Sequence, residues 1–560
     1  MKNACFLIAV LALITLNTSA QFKKYIVRFK DKSGTPFAIN NPSAFLSSRA
    51  ILRRTRENIS IDGTDLPITP RYIDSVRLSG NVTILNKSKW LNQVCIQTTD
   101  SAALLKISNM PFVIAAQPLM QPARIEAPVN NKFNEETNSI DGAQSVSNIL
   151  GFYNYGNSFA QVHIHEGEYL HDKGFRGEGM SIAILDAGFY HYLSLPAFDS
   201  VNNNNQVKET YNFVTNDASV NEDYFHGMEC FSIMAGNIPG QLVGTSPKAN
   251  YYLYVSEDVS SESPVEEQNW AAAAERADSI GIDVISTSLG YNQFDNPIFN
   301  NTYADLNGHT TLIANAAGFA AKKGMIVVVA AGNEGANSWH YITTPADADS
   351  ILAVGAVDAS GNVASFSSYG PSSDGRVKPE IASVGKGTAL VSPGGAIVYG
   401  NGTSFATPNV AGLITCLWQA FPDFTNMEII KEVEKSSSIY NAPDNRIGYG
   451  IPNFRIAFDD LVKQRALKNI NNILGDDWIK VFPNPFVTSF SVAIKPLNTA
   501  AGTFHLYDAS GKLLVKKYVS LQAGQNQLIY FDNLQALGKG LYILKFSDGQ
   551  IKKTLKMLVN

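Results

Sequence analysis

One serine of this sequence, at the start of an apolar pattern of helical spacing, is in a setting suited to a nucleophile. Ser404 lies in the stretch GNGTSFATPNVAG, residues 400–412, where an apolar periodicity of helical spacing begins. Such a serine could be the N-cap of a buried helix, because its hydroxyl can accept a hydrogen bond from the first turn. It could also be a nucleophile at the helix N-terminus, where unpaired N–H groups and the helix dipole favour an oxyanion. The local pattern leaves both interpretations open.

Two further residues would complete the chemistry of acyl transfer. Asp186 ends the apolar stretch SIAILD, and His226 precedes an apolar run of helical spacing. A serine hydroxyl is a weak nucleophile near neutral pH, so an imidazole must take its proton and a carboxylate must orient that imidazole. Taken singly, an Asp after a strand is most often a turn or cap residue, and a His at a helix boundary is often a cap or core residue. Together, Asp186, His226 and Ser404 form the set of residues that acyl transfer needs.

Short, almost continuously apolar strands must position these residues. Stretches rich in Val, Ile and Leu alternate with helical patterns at residues 180–186, 250–256, 283–290, 325–333 and 351–357. Strands buried on both faces belong to a parallel sheet covered by helices. Open sheets of this kind bind ligands beyond the carboxyl ends of their strands, where Asp186, Ser288 and Asn333 lie. The pattern predicts an α/β domain over residues 159–462, a parallel sheet with helices on both faces.

The composition indicates a folded protein of several domains. The chain has 560 residues, of which 45% are hydrophobic and 17% are charged. Its length suggests about three domains. The net charge of −5, without blocks of like charge, gives no indication of a nucleic-acid partner. The 4 cysteines are too few and too scattered for a disulfide framework or a zinc site.

The first 20 residues have the organisation of a signal peptide. MKNACFLIAVLALITLNTSA begins with a lysine, continues with an apolar run and ends in small residues. The apolar run is too short to span a bilayer, and no later stretch approaches the ~18 apolar residues of a membrane helix. We therefore expect residues 1–20 to be removed on export and expect no transmembrane anchor.

Two smaller regions flank the α/β domain. Residues 21–125 contain strand-like and helical stretches that predict a small α+β unit, and residues 126–158 form a polar connection open to proteolysis. A linker is expected at residues 463–477. Residues 478–560 contain short alternating strands separated by turns, which predict an all-β sandwich.

These motifs resemble those of the subtilisin-like serine proteases, the subtilases of peptidase family S8. The stretches SIAILDAGF, FHGMEC, VVVAAGNEG and YGNGTSFATPNVAG occur in the order of that family's motif blocks. The resemblance implies that Ser404 is the nucleophile, that His226 is the general base and that Asp186 orients His226. It also implies an oxyanion hole made of the Asn333 side-chain amide and the Ser404 backbone N–H.

The same resemblance implies a substrate-binding edge for protein or peptide substrates. Ser288, Leu289 and Gly290 would pair with the substrate backbone and form one wall of the pocket for the P1 residue. Ala331 and Gly332 would form the opposite wall. Because these residues are small, we expect room for a large P1 side chain and, as a hypothesis, an apolar one.

The resemblance implies no cofactor requirement for catalysis. Subtilases often bind structural Ca²⁺, but no Asp or Glu spacing here identifies ligands, so the metal ligands stay unknown. Cys230 lies one turn after His226, and we expect a buried, inert thiol beneath the imidazole, in a place similar to that of a thiol in the proteinase K and thermitase branch. A disulfide between Cys230 and Cys416 is left open.

Residues 21–125 resemble the inhibitory prodomains of subtilases, most clearly in DSAALLKISNMPFVIAAQPL. This implies a region that assists folding and blocks the cleft until the chain is cut between about Gln121 and Leu150. The alternative is a permanent N-terminal binding module.

Residues 478–560 resemble the type A sorting domain of the type IX secretion system of Bacteroidota. The resemblance depends on VFPNPF, LYDASGKLL and KGLYILKF. It implies recognition by outer-membrane secretion machinery and a secreted or cell-surface location. A carbohydrate- or protein-binding sandwich is the alternative.

The sequence thus predicts a secreted serine endopeptidase made as a prepro-precursor. The competing class is an inactive subtilase fold that acts as an adhesin or binding protein. The presence of Asp186, His226, Asn333 and Ser404 argues against it, because a scaffold does not need all four.

Overall fold

The computed structural model describes residues 23–120, 136–139, 151–221, 224–535 and 537–559. The predicted signal peptide and most of the predicted processing connection lie outside these residues. The chain divides into two compact units, Met1–Ala457 and Phe458–Asn560.

The first part of the N-terminal unit is a small α+β region. Its elements are β1 (Lys23–Phe29), α1 (Ser48–Arg56), α2 (Pro70–Arg77), β2 (Thr83–Ser88), β3 (Gln93–Thr98), α3 (Ser101–Ser108) and β4 (Val113–Met120). The strands form an antiparallel sheet in the order β2-β3-β1-β4. Asp100 begins α3 as expected, because its side chain accepts a hydrogen bond from Ala103 N at 2.9 Å.

A seven-stranded sheet forms the centre of the same unit. Its strands are β6 (Ser181–Asp186), β7 (Val207–Asn212), β10 (Asn250–Val255), β11 (Val284–Thr287), β12 (Ile326–Ala330), β13 (Leu352–Val357) and β14 (Ile381–Val384). The order is β14-β13-β12-β11-β6-β10-β7, and every neighbouring pair is parallel. The predicted parallel sheet is confirmed, and its strands are largely buried, as their apolar composition requires, except for the more polar edge strand β7, which is partly exposed.

Helices cover the sheet on both faces. They are α4 (Phe159–His163), α5 (Glu168–Asp172), α6 (Asp199–Asn203), α7 (His226–Ala235), α8 (Val265–Ile280), α9 (Leu312–Lys322), α10 (Thr403–Ala420) and α11 (Asn426–Lys435). Alanine-rich α8 and α9 pack with Trp270 against one face of the sheet. Helices α7 and α10 pack together against the other face.

Helix α10, which carries Ser404, lies unusually close to a neighbouring loop. A Cβ atom at Gly412 would lie 1.9 Å from Thr245 Oγ1. Because no pair of atoms tolerates that separation, only glycine allows α10 to lie at this depth.

Shorter strands and turns complete this unit. Strands β5 (Glu136–Ser139), β15 (Lys386–Val391) and β16 (Ile397–Asn401) form a sheet in the order β15-β16-β5, and β8 (Asn237–Ile238) pairs with β9 (Leu242–Val243). Single 3₁₀ turns occur at Pro42–Ala44, Pro196–Phe198, Pro297–Phe299 and Tyr303–Asp305.

The C-terminal region is all-β, as predicted. Its strands are β17 (Ile479–Phe482), β18 (Phe490–Ile494), β19 (Ala500–Tyr507), β20 (Leu513–Leu521), β21 (Gln527–Phe531), β22 (Gly540–Ser547) and β23 (Lys552–Val559). They form two sheets, β17-β18-β21 and β20-β19-β22-β23, around one core that includes Phe490, Phe504 and Phe546.

The predicted linker at residues 463–477 differs from the structure. Helix α12 (Phe454–Leu474) includes most of it. The segment has many good helix formers and no proline, and Ile470 and Leu474 pack against Ala493 of β18. Among the described residues, no helix has the length and apolar character needed to cross a membrane.

Candidate active site

Asp186 and His226 form a buried pair at the carboxyl end of the central sheet. Asp186 is the last residue of β6 and His226 is the first residue of α7. His226 Nδ1 lies 2.6 Å from Asp186 Oδ1, and both side chains are almost completely shielded from solvent. A carboxylate only accepts hydrogen bonds, so Nδ1 carries the hydrogen and the neutral ring has its lone pair on Nε2. Such a ring can act as a general base.

Burial affects the acid of this pair. It raises the pKa of Asp186 above its ordinary value, and the neighbouring His226 and the backbone N–H of Ala187 oppose that shift. The stabilisation of an ionised Asp186 therefore depends on His226.

The glycine after His226 permits this close packing. A Cβ atom at Gly227 would lie 2.6 Å from Gly188 O and 2.9 Å from the Asp186 Cβ atom. A larger residue would push the start of α7 away from the end of β6. This close approach gives a physical reason for the His-Gly pair in the sequence.

Ser404 lies in the first turn of α10, beside the same strand ends. Its hydroxyl donates to the Ser288 backbone oxygen at 3.3 Å, and the Ser288 hydroxyl donates to the Ser404 backbone oxygen at 2.8 Å. The ring of the next residue, Phe405, lies 6.1 Å from the His226 ring, measured between centroids. These contacts bring the first turn of α10 to both β11 and α7.

Asn333 follows β12 and is anchored to the same helix. Its Oδ1 accepts hydrogen bonds from Thr403 N at 2.8 Å and from Thr403 Oγ1 at 2.9 Å. Since the backbone N–H of Thr403 needs an oxygen acceptor, this contact fixes which end of the amide is oxygen. The Nδ2 end of Asn333 is then on the side away from Thr403.

A cavity of about 110 Å³ lies beside Ser404 and Asn333. Its lining includes Ser404 and Asn333 together with four of the five predicted substrate-binding residues. The lining residues are Glu262, Ser288, Leu289, Gly290, Asn292, Gln293, Phe294, Ala330, Gly332, Asn333, Glu334, Thr343, Thr403 and Ser404.

Ala331 is the exception among the predicted substrate-binding residues. Its side chain is fully buried in the core beneath the sheet edge, and Ala330 contributes to the cavity instead. Side chains of successive residues in an extended segment point in opposite directions, so only one of two adjacent alanines can face the cavity. The sequence Ala330-Ala331-Gly332 does not indicate which of the two alanines faces the cavity.

The cavity has two acidic side chains that sequence analysis missed. Glu262 and Glu334 are half-buried in its wall, and no Lys, Arg or His is in the lining formed by the described residues. Glu334 follows Asn333 directly, which could have drawn attention to it. Glu262 comes from the segment before α8, which lacks such a signal.

Cys230 lies below the candidate pair, as predicted from its spacing. Its Sγ contacts the Ser404 backbone oxygen at 3.5 Å. Cys95, Cys230 and Cys416 are buried thiols, so the disulfide between Cys230 and Cys416 is not formed.

The described residues contain one group of three close metal-ligating side chains, Asp186, His226 and Cys230. A buried imidazole and thiol are poor ligands for Ca²⁺, which prefers six to eight oxygen atoms. This group gives no support for a calcium site.

Comparisons with known proteins agree with this architecture. Residues 177–450 match the subtilase family, residues 24–138 match the peptidase S8 propeptide domain of Bacteroidota, and residues 480–560 match the secretion system C-terminal sorting domain.

Named relatives are bacterial proteases. The chain is 26% identical over 416 residues to an alkaline protease of Alkalihalobacillus alcalophilus, which covers 74% of this chain and 95% of the relative. It is 28% identical over 288 residues to subtilisin Savinase of Lederbergia lenta, which covers 51% of this chain and 93% of the relative. Among solved structures, MycP1 from Mycobacterium smegmatis is similar with a TM-score of 0.42 and 21% identity over 58% of this chain and 89% of that chain.

Residues 177–450 are a domain of the subtilase family, and the chain is a serine endopeptidase. It is made with a propeptide and with a type IX C-terminal sorting domain, so it is exported to the cell surface or the medium. Subtilases generally need no cofactor for catalysis.

Proposed function

We propose that this endopeptidase cleaves peptide bonds with Ser404 as nucleophile, His226 as general base and acid, and Asp186 as the group that orients His226. The 2.6 Å contact between His226 and Asp186 beside the first turn of α10 is the observation that carries the proposal. It supports a neutral imidazole with hydrogen on Nδ1 and the basic lone pair on Nε2, the ring nitrogen opposite Asp186.

The reaction follows from these positions. Ser404 Oγ attacks the carbonyl carbon of the substrate while His226 Nε2 takes the hydroxyl proton, which forms a tetrahedral intermediate. His226 then gives this proton to the leaving amine as the C–N bond breaks and an acyl-enzyme remains. A water molecule, deprotonated by His226, attacks the ester, and the proton returns to Ser404 as the acid product leaves.

Asn333 and the first turn of α10 are proposed to stabilise the oxyanion. The anchoring of Asn333 Oδ1 by Thr403 directs the other end of the amide away from Thr403, and Asn333 lines the cavity. The Ser404 N–H would be the second donor, since it is in the first helical turn and has no partner four residues earlier within the helix. Removal of one such donor typically lowers turnover by ~10²–10³.

The substrate backbone is proposed to run along Ser288, Leu289 and Gly290, with the P1 side chain entering the cavity beside Gly332. The carboxylates of Glu262 and Glu334 would favour a long basic P1 side chain over an acidic one. This replaces our expectation of an apolar P1 residue.

We propose that the domains act in sequence. Residues 1–20 would direct export, residues 21–125 would inhibit the catalytic domain at residues 159–462, and residues 478–560 would be recognised by the outer-membrane secretion machinery. Mass spectrometry of the secreted product tests these boundaries, because it gives both mature termini.

A fluorophosphonate probe tests the catalytic proposal directly. We expect the mature protein to be labelled at Ser404 and the Ser404→Ala variant to remain unlabelled. Absence of label on the mature wild type would favour the competing class, an inactive fold that acts as an adhesin or binding protein. Label on another serine would contradict the assignment of the nucleophile.

A further inference from the structure

Helix α1 of the propeptide contacts the catalytic domain at the end of the central sheet where the strands begin. The candidate site lies at the other end, where the strands finish. The helix presents Arg49 and Arg53, which are four residues apart and so lie on one side, and Arg54, which follows Arg53 directly. Their partners in the catalytic domain precede the amino ends of β6, β11 and β12, whereas Asp186, Ser288 and Asn333 lie at the carboxyl ends of these strands. A strand of four residues such as β11 is roughly 13 Å long, so this distance separates the amino ends of the strands from their carboxyl ends.

Arg53 fills the junction between the ends of α8 and α9. Its Nε donates to Lys323 O at 3.1 Å, and its Nη2 donates to Asp278 O at 3.0 Å and to Asp278 Oδ1 at 2.5 Å. Its Nη1 donates to Ile282 O. The guanidinium is only 2% exposed, so this is a fully enclosed contact.

Arg54 joins the same group from the next position of α1. Its Nη2 lies 2.9 Å from Asp65 Oδ1 and 2.7 Å from Asp278 Oδ1, and its Nη1 donates to Lys323 O. The Lys323 ammonium lies 2.8 Å from Asp65 Oδ2. The buried charges of the propeptide and of the catalytic domain are therefore paired with each other.

Arg49 extends the contact to the start of β6. Its Nε donates to Gly281 O at 2.8 Å and its Nη2 donates to Gly179 O at 3.0 Å. It also pairs with Asp283, whose Oδ2 accepts from Ser181 N at 2.9 Å.

The chemistry of this surface fits a guanidinium group in particular. The carbonyl groups in the last turn of a helix lack intrahelical donors, and the negative end of the helix dipole favours a cation there. A guanidinium has five donors in a planar fork, so it can bind several carbonyls and a carboxylate at once, which an ammonium cannot. Two adjacent helix ends with one buried aspartate, Asp278, provide this arrangement.

We infer that the catalytic domain has an arginine-binding site, formed by Asp278, Ile282, Asp283 and Lys323, that holds the propeptide independently of the cleft. Cutting the chain between the two domains then leaves the propeptide bound, because its arginine anchor lies at the opposite edge of the sheet. The kind of partner that this site binds is a helix with adjacent arginines. The inference depends on the propeptide assignment and not on the proposed catalytic residues.

A cut that does not need the protein's own activity tests this inference. A recognition sequence for a site-specific protease is inserted after Gln121 in the full chain with Ser404→Ala, and the purified protein is cut. Size-exclusion chromatography then shows whether the propeptide fragment elutes with the catalytic domain, and dilution gives its release rate.

We expect the fragment to co-elute in the parent chain and to be released at least about 100-fold faster in the Arg53→Met/Arg54→Met variant, since close charge pairs at interfaces have large coupling energies. Arg77→Met is the matched control, because Arg77 is an exposed arginine of the same propeptide whose ion pair, among the described residues, is with Asp74 of its own helix. Its release rate should equal that of the parent.

Two results would overturn the inference: release of the fragment from the parent on cutting, or equal release from the parent and the double variant. If the double variant does not fold, the release rate of the Arg49→Met variant tests the inference instead. The Arg49 side chain is partly exposed, so its replacement should destabilise the fold less. We expect about tenfold faster release from that variant, and an unchanged rate would contradict the inference. Labelling at Ser404 in the wild type is a separate readout, so failure of either proposal can be distinguished.

Discussion

His226 Nδ1 and Asp186 Oδ1 lie 2.6 Å apart, which joins the first residue of α7 to the last residue of β6. The contact fixes the tautomer of the imidazole through a strand end and a helix start that are both buried. The fold therefore determines that Nε2 is the basic nitrogen of His226, and the effect of changing this arrangement can be measured.

The first prediction concerns Asp186. An amide at this position, in Asp186→Asn, would offer a donor as well as an acceptor and would no longer select the tautomer with hydrogen on Nδ1. We expect kcat to fall by about 10⁴-fold with little change in KM. Steady-state kinetics on a peptide substrate measures this, with circular dichroism as the control for folding. A loss smaller than tenfold would show that Asp186 does not orient the base.

The second prediction separates the two ends of the Asn333 side chain. Asn333→Asp keeps an oxygen for the Thr403 N–H but removes the proposed donor to the oxyanion and adds a negative charge. We expect kcat to fall by at least about 10²-fold while the melting temperature stays near that of the wild type. Retention of full activity would exclude the amide from the oxyanion hole.

The third prediction concerns the acidic cavity wall. Glu334→Gln or Glu262→Gln should lower the preference for Arg or Lys over Glu at P1 by about 5- to 10-fold, the range expected for one partly solvated charge pair. The ratio of kcat/KM values on matched peptides gives the result. Glu178→Gln, a carboxylate outside the cavity lining, is the control. A profile that does not respond to either cavity variant would mean that the P1 side chain does not approach these groups.

The fourth prediction follows from a buried histidine of the catalytic unit. His165 contacts Pro452 O through Nδ1 at 2.9 Å and the Ser383 hydroxyl through Nε2 at 2.7 Å, and burial lowers the pKa of His165 to about 4. The unfolded chain takes up this proton near pH 6.5, whereas the folded chain does so only near pH 4. Stability should therefore fall as the pH decreases from 6.5 to 4, by up to about 3 kcal/mol from this residue.

Thermal melts of the Ser404→Ala chain across this pH range measure the effect. The His165→Asn variant should be less stable at pH 7 but should lose less stability on acidification. Identical pH dependence of the two proteins would contradict a neutral, buried His165.

The fifth prediction concerns Glu275 of α8, which accepts hydrogen bonds from Ser88 Oγ, from Lys89 N at 2.6 Å and from Trp90 N at 3.0 Å. Burial raises the pKa of Glu275 to about 7 in the presence of the propeptide, and Lys89 and the hydrogen bonds oppose that shift. Without the propeptide, an exposed Glu275 would have an ordinary pKa near 4.5.

The complex then binds one more proton than the separated domains between these two values, so association should weaken as the pH rises through 7. We expect release of the cut propeptide to be at least about tenfold more favourable at pH 8.5 than at pH 5.5. Glu275→Gln should remove most of this dependence. If propeptide release depends on pH in the same way in Glu275→Gln and in the parent, the dependence arises from other titratable groups.

The sequence was sufficient to predict the elements that carry the candidate site. The strand that ends at Asp186 and the helix that begins near Ser404 follow from apolar periodicity, which depends on nearby residues only. The motif order then indicated the family. The position of Asp186, Ser288 and Asn333 at the carboxyl ends of strands is a direct consequence of parallel connectivity.

Other features depend on contacts between distant segments and were not predictable. The hydrogen bonds between Thr403 and Asn333 require α10 and the end of β12 to meet at one point. The arginines of α1 were predicted only as part of a helix, since charged side chains are usually exposed. The burial of Arg53 and Arg54 depends on carbonyl groups more than two hundred residues away.

Gly412 gives the nucleophile an unexpected dependence on a distant position. It lies eight residues after Ser404, so about 12 Å along the helix, and it is not one of the residues that line the cavity. A single added methyl group would displace the helix from Thr245 and carry the hydroxyl with it, and a shift of about 1 Å can lower a reaction rate 10²-fold. Random mutagenesis for loss of hydrolysis should therefore recover substitutions at this site in protein that is still abundant and folded.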